Sequence, residues 1–169
     1  MPHIWKPSVT VAAVVDRTVV IDGIEVQQFL MVEEETFDGL RYNQPAGHLE
    51  AQESLLQAVV REALEETAYD FEPTGFIGSY LSHYVSKRTG IGKTYLRFAF
   101  AGKLGQLHDL PLDEGIVRSV WMSYPELQKT QERHRGPMVL QCVDDFLARP
   151  SASLDLLFTH SSIFEQETE

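Results

Sequence analysis

The spacing of apolar residues along the chain alternates between a strand period and a helix period. Ser8 to Val15 is a β-rich run that ends near Asp16, and Asp22-Gly23 marks a turn. Ile24 to Glu35 reads as a second strand with Phe29, Met31 and Val32 as its apolar members, and Asp38-Gly39 is another turn. Leu40 to Gln44 is a short strand leading through Pro45 to a loop at Gly47. The pattern then changes. Ser54 followed by Gln57 is a capping box, in which each side chain satisfies a free backbone amide at a helix start. Leu56, Val59, Val60 and Ala63 recur at helical spacing, and Thr67 continues their stripe. Glu72-Pro73 and Gly75 predict a break after this helix. Phe76 to Val85 and Thr94 to Phe100 read as paired strands, joined by the Gly-bearing segment Ser86 to Lys93. Ile116 to Met122 is a further strand, Pro125 to Lys129 a short helix and Pro137 to Leu147 a longer amphipathic one. This order predicts an α/β domain over residues 1–150. A tail follows over 151–169, in which Leu154, Leu156, Leu157 and Phe158 are expected to pack.

Opposite the apolar stripe, Glu62, Glu65 and Glu66 fall within an arc of roughly 100°. Like charges on one face repel, and no run of lysines shares that face. Taken alone, such a face reads as solvated surface. A divalent cation is the other way to neutralise it, and carboxylate oxygens are hard ligands suited to Mg²⁺ or Mn²⁺. The flanking residues decide between the two. Gly47, Glu53, Arg61-Glu62 and Glu65-Glu66 stand at intervals that resemble the loop–helix box of the Nudix hydrolases along its whole length. One position departs: Ala68 stands where that family usually has the glycine following the helix, and a left-handed alanine there would cost roughly 1 kcal/mol.

Composition narrows the picture further. The chain has 169 residues, 43% of them hydrophobic, enough for one sizeable core. A net charge of −11 argues against a long nucleic acid as partner but allows a small phosphorylated metabolite or nucleotide, given a metal and a local basic patch. The single cysteine, Cys142, lies in the apolar run Met138, Val139, Leu140, Val143 and Phe146, so it reads as a buried structural thiol and excludes an internal disulfide. No apolar stretch reaches signal-peptide or membrane-spanning length. The expectation is a cytoplasmic protein that meets no membrane, as a monomer or a homodimer.

The Nudix resemblance implies a mixed β-sheet in an α/β/α sandwich and Mg²⁺-dependent cleavage of a phosphoanhydride by water. It implies Glu62 and Glu66 as the main metal ligands, Glu65 assisting, and the Gly47 carbonyl as a ligand from the loop. Glu53 and Arg61 would brace loop against helix. Glu66 is the first choice of general base and Glu114, in Asp113-Glu114-Gly115-Ile116, the second. Substrate contacts are expected from Arg97 inside an apolar strand, from Lys87, Arg88 and Lys93 around the Gly-bearing loop, and from Tyr42 and Asn43, although Tyr42 reads equally as core. His48 lies beside the metal loop, but one imidazole does not make a metal site.

A narrower resemblance comes from Asn43-Gln44-Pro45-Ala46-Gly47-His48-Leu49-Glu50, with Val9 to Ala12 and Leu96-Arg97-Phe98. Together they are similar to the bacterial NudJ-type phosphatases. Those act with Mg²⁺ on nucleoside tri- and diphosphates and on the pyrophosphate of the thiamine pyrimidine precursor, and tend to release phosphate singly. The competing functions are a nucleotide pyrophosphohydrolase, an RNA-end hydrolase and a Nudix ligand-binding regulator without turnover. The last of these would be expected to lack the helix carboxylates.

Overall fold

The computed structural model describes residues 5–86 and 89–165. Its elements are β1 (Ser8–Val14), β2 (Asp16–Ile21), β3 (Ile24–Thr36), β4 (Gly39–Asn43), β5 (Ala46–His48), α1 (Leu55–Thr67), β6 (Tyr69–Val85), β7 (Gly92–Leu107), β8 (Ile116–Ser123), α2 (Tyr124–Lys129) and α3 (Met138–Ala148). One sheet has the order β5-β1-β7-β6. It is mixed, because β1 and β7 run parallel while β5 pairs with β1, and β6 with β7, antiparallel. In the second sheet β3 is the hub, pairing β2, β4 and β8.

β1 shows why the architecture is layered. Residues Val11 to Val15 are all buried, which requires cover on both faces of the strand. Val11, Ala13 and Val15 pack with Ala58, Val59 and Ala63 of α1 and with Leu30, Phe71 and Phe100. Val14 packs on the other side with Val139, Cys142 and Val143 of α3, together with Phe29 and Met31. The sheet is therefore sandwiched between α1 and α3, the α/β/α arrangement expected. No described helix is long and apolar enough to cross a membrane.

Four details differ from the sequence reading. β2 and β5 went unpredicted. β2 is largely exposed and is held by its register with β3; β5 is a three-residue strand defined by pairing with β1. The predicted break at Glu72-Pro73 and Gly75 is instead continuous β6, which absorbs these residues in register shifts at Tyr69/Phe71, Pro73/Gly75 and Phe76/Gly78. β7 runs on to Leu107, beyond the Phe100 expected. Of the tail residues, Leu154 and Leu157 join the α1-side core, whereas Leu156 and Phe158 are 71% and 86% exposed. The tail is anchored where Ala152 exchanges two 2.8 Å backbone hydrogen bonds with Phe76 on β6.

Candidate active site

The helix start is built as its sequence dictates. The Ser54 amide donates to Gln57 Oε1 at 2.8 Å and the Gln57 amide to Ser54 Oγ at 3.2 Å, completing the capping box. The helix ends on Ala68, which is left-handed at φ 58° and ψ 15°, its amide closing on the Leu64 carbonyl at 2.8 Å. Alanine thus occupies the glycine geometry without shifting the helix end. The Ala68 carbonyl accepts from the His108 amide, which fixes the turn against the β7 side.

Between these ends, α1 presents its carboxylates to the β5 loop. Gly47 lies so close to the Glu62 carboxylate that a Cβ at position 47 would overlap Glu62 Cδ and both carboxylate oxygens. Glycine is required here by close approach, its backbone pressed against an acidic group. Glu66 reaches the same loop, and its Oε2 accepts the Ala46 amide at 2.8 Å. Arg61 ties the parts together. It donates through Nε and Nη2 to the two oxygens of Glu53 at 3.0 and 2.8 Å. It also donates through Nη1 to Glu62 at 2.8 Å and Glu65 at 2.9 Å, and through Nη2 to the His48 carbonyl at 2.9 Å. This is the brace of loop against helix expected from Glu53 and Arg61, extended to two more carboxylates.

The electrostatics show a site short of positive charge. Glu62 and Glu66 are both buried. Burial is the main reason Glu66 is pushed up to about 8; the Ala46 amide opposes this, and the charges of Glu62, Glu34 and Asp113 add to it. Glu62 is also raised, first by burial, with Arg61 opposing. Arg61 holds Glu53 below the ordinary carboxylate range. Among the described residues no three acidic, imidazole or thiol groups converge as a finished metal cluster; Glu62 and Glu65 accept from Arg61, and Glu66 from the Ala46 amide. The donors nevertheless fit a hard dication: carboxylate and carbonyl oxygens, two of them on groups whose affinity for a proton is already raised.

Two carboxylates that sequence reasoning missed act on this centre. Asp113 influences both Glu62 and Glu66, and its amide donates to the Glu65 carbonyl at 2.9 Å, clamping its loop to the helix end. Its neighbour Glu114, the second candidate base, is exposed. Glu34 on β3 is raised by burial and balanced by Arg135, Arg97 and Asn43. Both lie far from the box in sequence, and only the acidic pair Asp113-Glu114 gave any signal.

A buried polar cluster lies on the α3 side of the first sheet, where Gln44 Nε2 donates to the Val139 carbonyl at 2.6 Å. Buried Arg97 donates from Nη1 to Gln44 Oε1 at 3.1 Å and from Nη2 to Asn43 Oδ1 at 3.2 Å. Its Nε and the hydroxyl of Thr10, its register partner on β1, have no hydrogen-bond partner among the described residues. Asn43 therefore joins this buried polar cluster, but Tyr42 does not. Tyr42 is buried in the α3-side core, with Arg133 4.3 Å over its ring and Arg133 Nη1 donating to its hydroxyl at 2.9 Å. Arg133 and Arg118 also grip buried Glu33 at 2.6 and 2.8 Å. Tyr42 is thus core, the alternative its sequence context left open. Lys93 stands beside His48 at 3.4 Å. Arg88 and Lys87 lie outside the described residues. Cys142 is buried and free, its thiol pushed up to about 11 by burial, which fits packing and not nucleophilic attack.

A mixed sheet between helices, with a glycine loop pressed on buried helix glutamates, is an arrangement of hard oxygen donors suited to a divalent cation. Comparison with known proteins identifies the class. The NUDIX domain model matches residues 11–142. The chain is 36% identical over 140 residues to the phosphatase NudJ of Escherichia coli strain K12, and 37% identical over 140 residues to that of Shigella boydii, spanning 82% of each protein and 82% of this chain. A solved NUDIX hydrolase from Nitrosomonas europaea superposes with a TM-score of 0.78 at 42% identity, over 92% of this chain and 98% of that one. The chain belongs to the Nudix hydrolase family and is similar to the NudJ phosphatases within it. The family generally requires a divalent metal.

Proposed function

We propose that the protein is a Mg²⁺-dependent phosphatase of nucleoside tri- and diphosphates, acting also on the pyrophosphate of a thiamine pyrimidine precursor and releasing phosphate one group at a time. The observation that carries this reading is the pair Glu62 and Glu66, buried against the Gly47 loop with raised proton affinity, in a chain similar to proteins named phosphatase. Glu62, Glu66, Glu65 and the Gly47 carbonyl would hold Mg²⁺, or Mn²⁺ in its place. The bound cation neutralises phosphate charge and makes water a better nucleophile. Glu66 is the group placed to take the proton of the attacking water, held by the Ala46 amide through one oxygen, with Glu114 second. Arg61 keeps the loop and helix in fixed relation. Arg97 and Asn43 would contact the substrate, and Lys93 would supply a cation near the loop; Arg88 belongs to the same proposal on its sequence position. The buried, unpaired cysteine fits work in a reducing cytoplasm.

The test is product analysis with Mg²⁺. A nucleoside triphosphate should give diphosphate and phosphate, then monophosphate and a second phosphate, with oxygen from labelled water in the free phosphate. Purine and pyrimidine substrates should differ by less than about tenfold, roughly 1.4 kcal/mol in transition-state binding. Pyrophosphate as the first product would replace this reading with a pyrophosphohydrolase. Saturable ligand binding without turnover would replace it with a regulator.

A further inference from the structure

One row of side chains crosses a single face of the first sheet. Thr10 on β1 is the register partner of His48 on β5 and of Arg97 on β7, and directly paired residues share a face. Lys93, Tyr95 and Arg97 alternate along β7, so they share that face too. The Lys93 ammonium lies 3.4 Å from His48 Nε2 and 5.1 Å from the centroid of the Tyr95 ring, while the His48 and Tyr95 rings are 6.3 Å apart. Among the described residues no carboxylate stands within ion-pair distance of Lys93. That is unexpected on a chain with a net charge of −11, where negative partners are plentiful. This ammonium is held instead by a lone pair and a π face, two partners that fix its position and leave its charge uncancelled.

The position so fixed is next to the catalytic loop. The His48 carbonyl is held by Arg61, and the preceding residue is Gly47, against which Glu62 packs. The imidazole therefore transmits the place of the loop to the tip of the Lys93 side chain. We propose that His48 is a positioning residue: its Nε2, 3.4 Å from the Lys93 ammonium, and the Tyr95 ring hold that ammonium where it donates to a phosphate oxygen of the bound polyphosphate. This rests on the phosphatase reading above and adds to it a residue that sets affinity for the phosphate chain. A lysine on a solvated hairpin would need neither partner.

The experiment compares His48→Phe, His48→Gln, Lys93→Met and the double variant His48→Phe/Lys93→Met, using a nucleoside triphosphate and Mg²⁺. His48→Phe keeps a ring and removes the acceptor; His48→Gln restores a polar atom near the Nε2 position. Expected is a KM raised ~5-fold in His48→Phe and in Lys93→Met, with kcat changed less than ~2-fold, as for loss of a partly exposed charge contact. The double variant should be no worse than either single one, and His48→Gln should recover most of the loss. Thermal midpoints of all four should match the parent. Additive effects in the double variant, an unchanged KM in Lys93→Met, or a fall in kcat alone in His48→Phe each overturn the proposal. If the parent itself turns over no phosphoanhydride, the phosphatase reading falls and this inference with it; an active parent with insensitive variants removes this inference alone.

Discussion

Replacing Gly47 with alanine isolates the contact on which the site depends. The added methyl would overlap the Glu62 carboxylate. Backbone on both sides is pinned: Gly47 pairs with Val11 in the sheet, and Arg61 holds the His48 carbonyl. The carboxylate is the far end of a flexible side chain, so it is the part that yields. From 2.1–2.2 Å, ordinary contact at 3.4–4 Å requires it to retreat by more than 1 Å. The 2.8 Å pair from Arg61 to Glu62 would be lost with it, a cost to stability of about 1 kcal/mol at most for a partly exposed arginine. In a protein of this size that lowers the thermal midpoint by roughly 2–4 °C. The catalytic cost is larger, because a displacement of about 1 Å in a catalytic group is worth ~10²-fold in rate. Gly47→Ala should therefore remain folded while kcat/KM for phosphate release falls ~10²-fold and the Mg²⁺ needed for half-maximal rate rises. Glu62→Ala should do the same, and the double variant should be little worse than either, since both remove one interaction. Parent-like activity and metal dependence in Gly47→Ala would refute the placement of Glu62 at the metal. Additive losses in the double variant would show that Gly47 acts by another route.

Other outcomes follow from the same geometry. Excess chelator should abolish phosphate release and added Mg²⁺ or Mn²⁺ restore it; turnover in full chelator would contradict a metal-dependent site. Glu66→Gln keeps shape and removes charge, and should lower kcat by about 10²-fold or more. The same variant should change the pH dependence of stability in the metal-free protein. Glu66 binds its proton more tightly when folded, at about 8 against 4.5 when unperturbed, so the folded state holds more protons between those values. Its contribution to stability is present in full below about 4.5, declines as pH rises toward 8, and is gone above that. Thermal melts across this range should show the decline in the parent and its absence in Glu66→Gln; parallel profiles would count against the raised carboxyl. Arg61→Lys cannot reproduce the fork on Glu53 together with the contacts to Glu62, Glu65 and the His48 carbonyl. It should destabilise by ~1–2 kcal/mol in denaturant melts, and an unchanged midpoint would show the brace to be incidental.

How much of this could be read before the structure depends on the sequence distance of the contacts. The capping box and the helix sit within α1 and the segment just before it, where spacing sets geometry, and the Glu53–Arg61 brace in the same segment was expected from the Nudix resemblance. The layered fold was legible for a related reason: strands and helices declare themselves by period, and the long apolar runs at Ser8 to Val15 and Pro137 to Leu147 are unambiguous. β2 and β5 were not legible, because short or exposed strands owe their form to partners and carry little pattern of their own. Continuous β6 was hidden for the opposite reason. Its Pro73 and Gly75 are breakers by local rule, yet the register shifts against β7, and the bridge between Ala152 and Phe76, accommodate them.

The buried polar residues divide along the same line. Arg97 attracted notice because a charge inside an apolar strand is anomalous, and the structure gives that anomaly a location, with Asn43 and Gln44 across from it. Tyr42 and Asn43 are adjacent in sequence and both were candidate contacts, Tyr42 reading equally as core, but alternate strand residues face opposite ways. The pairing of β4 with β3 decides between them: Tyr42 lies opposite Glu33 and Asn43 opposite Val32. Glu33 alternates with Phe29 and Met31 of the α3-side core, and Tyr42 joins that core with them. Glu34 was silent, and Asp113 signalled only through its neighbour Glu114, for a different reason. A carboxylate on a loop or strand looks like surface until a helix 50 or so residues away in one case, and 30 or so in the other, is brought against it. Their effect on Glu66 exists only in the folded chain. The box therefore supplies the reacting carboxylates locally, while the charges that tune them come from strand and loop positions that no spacing rule connects.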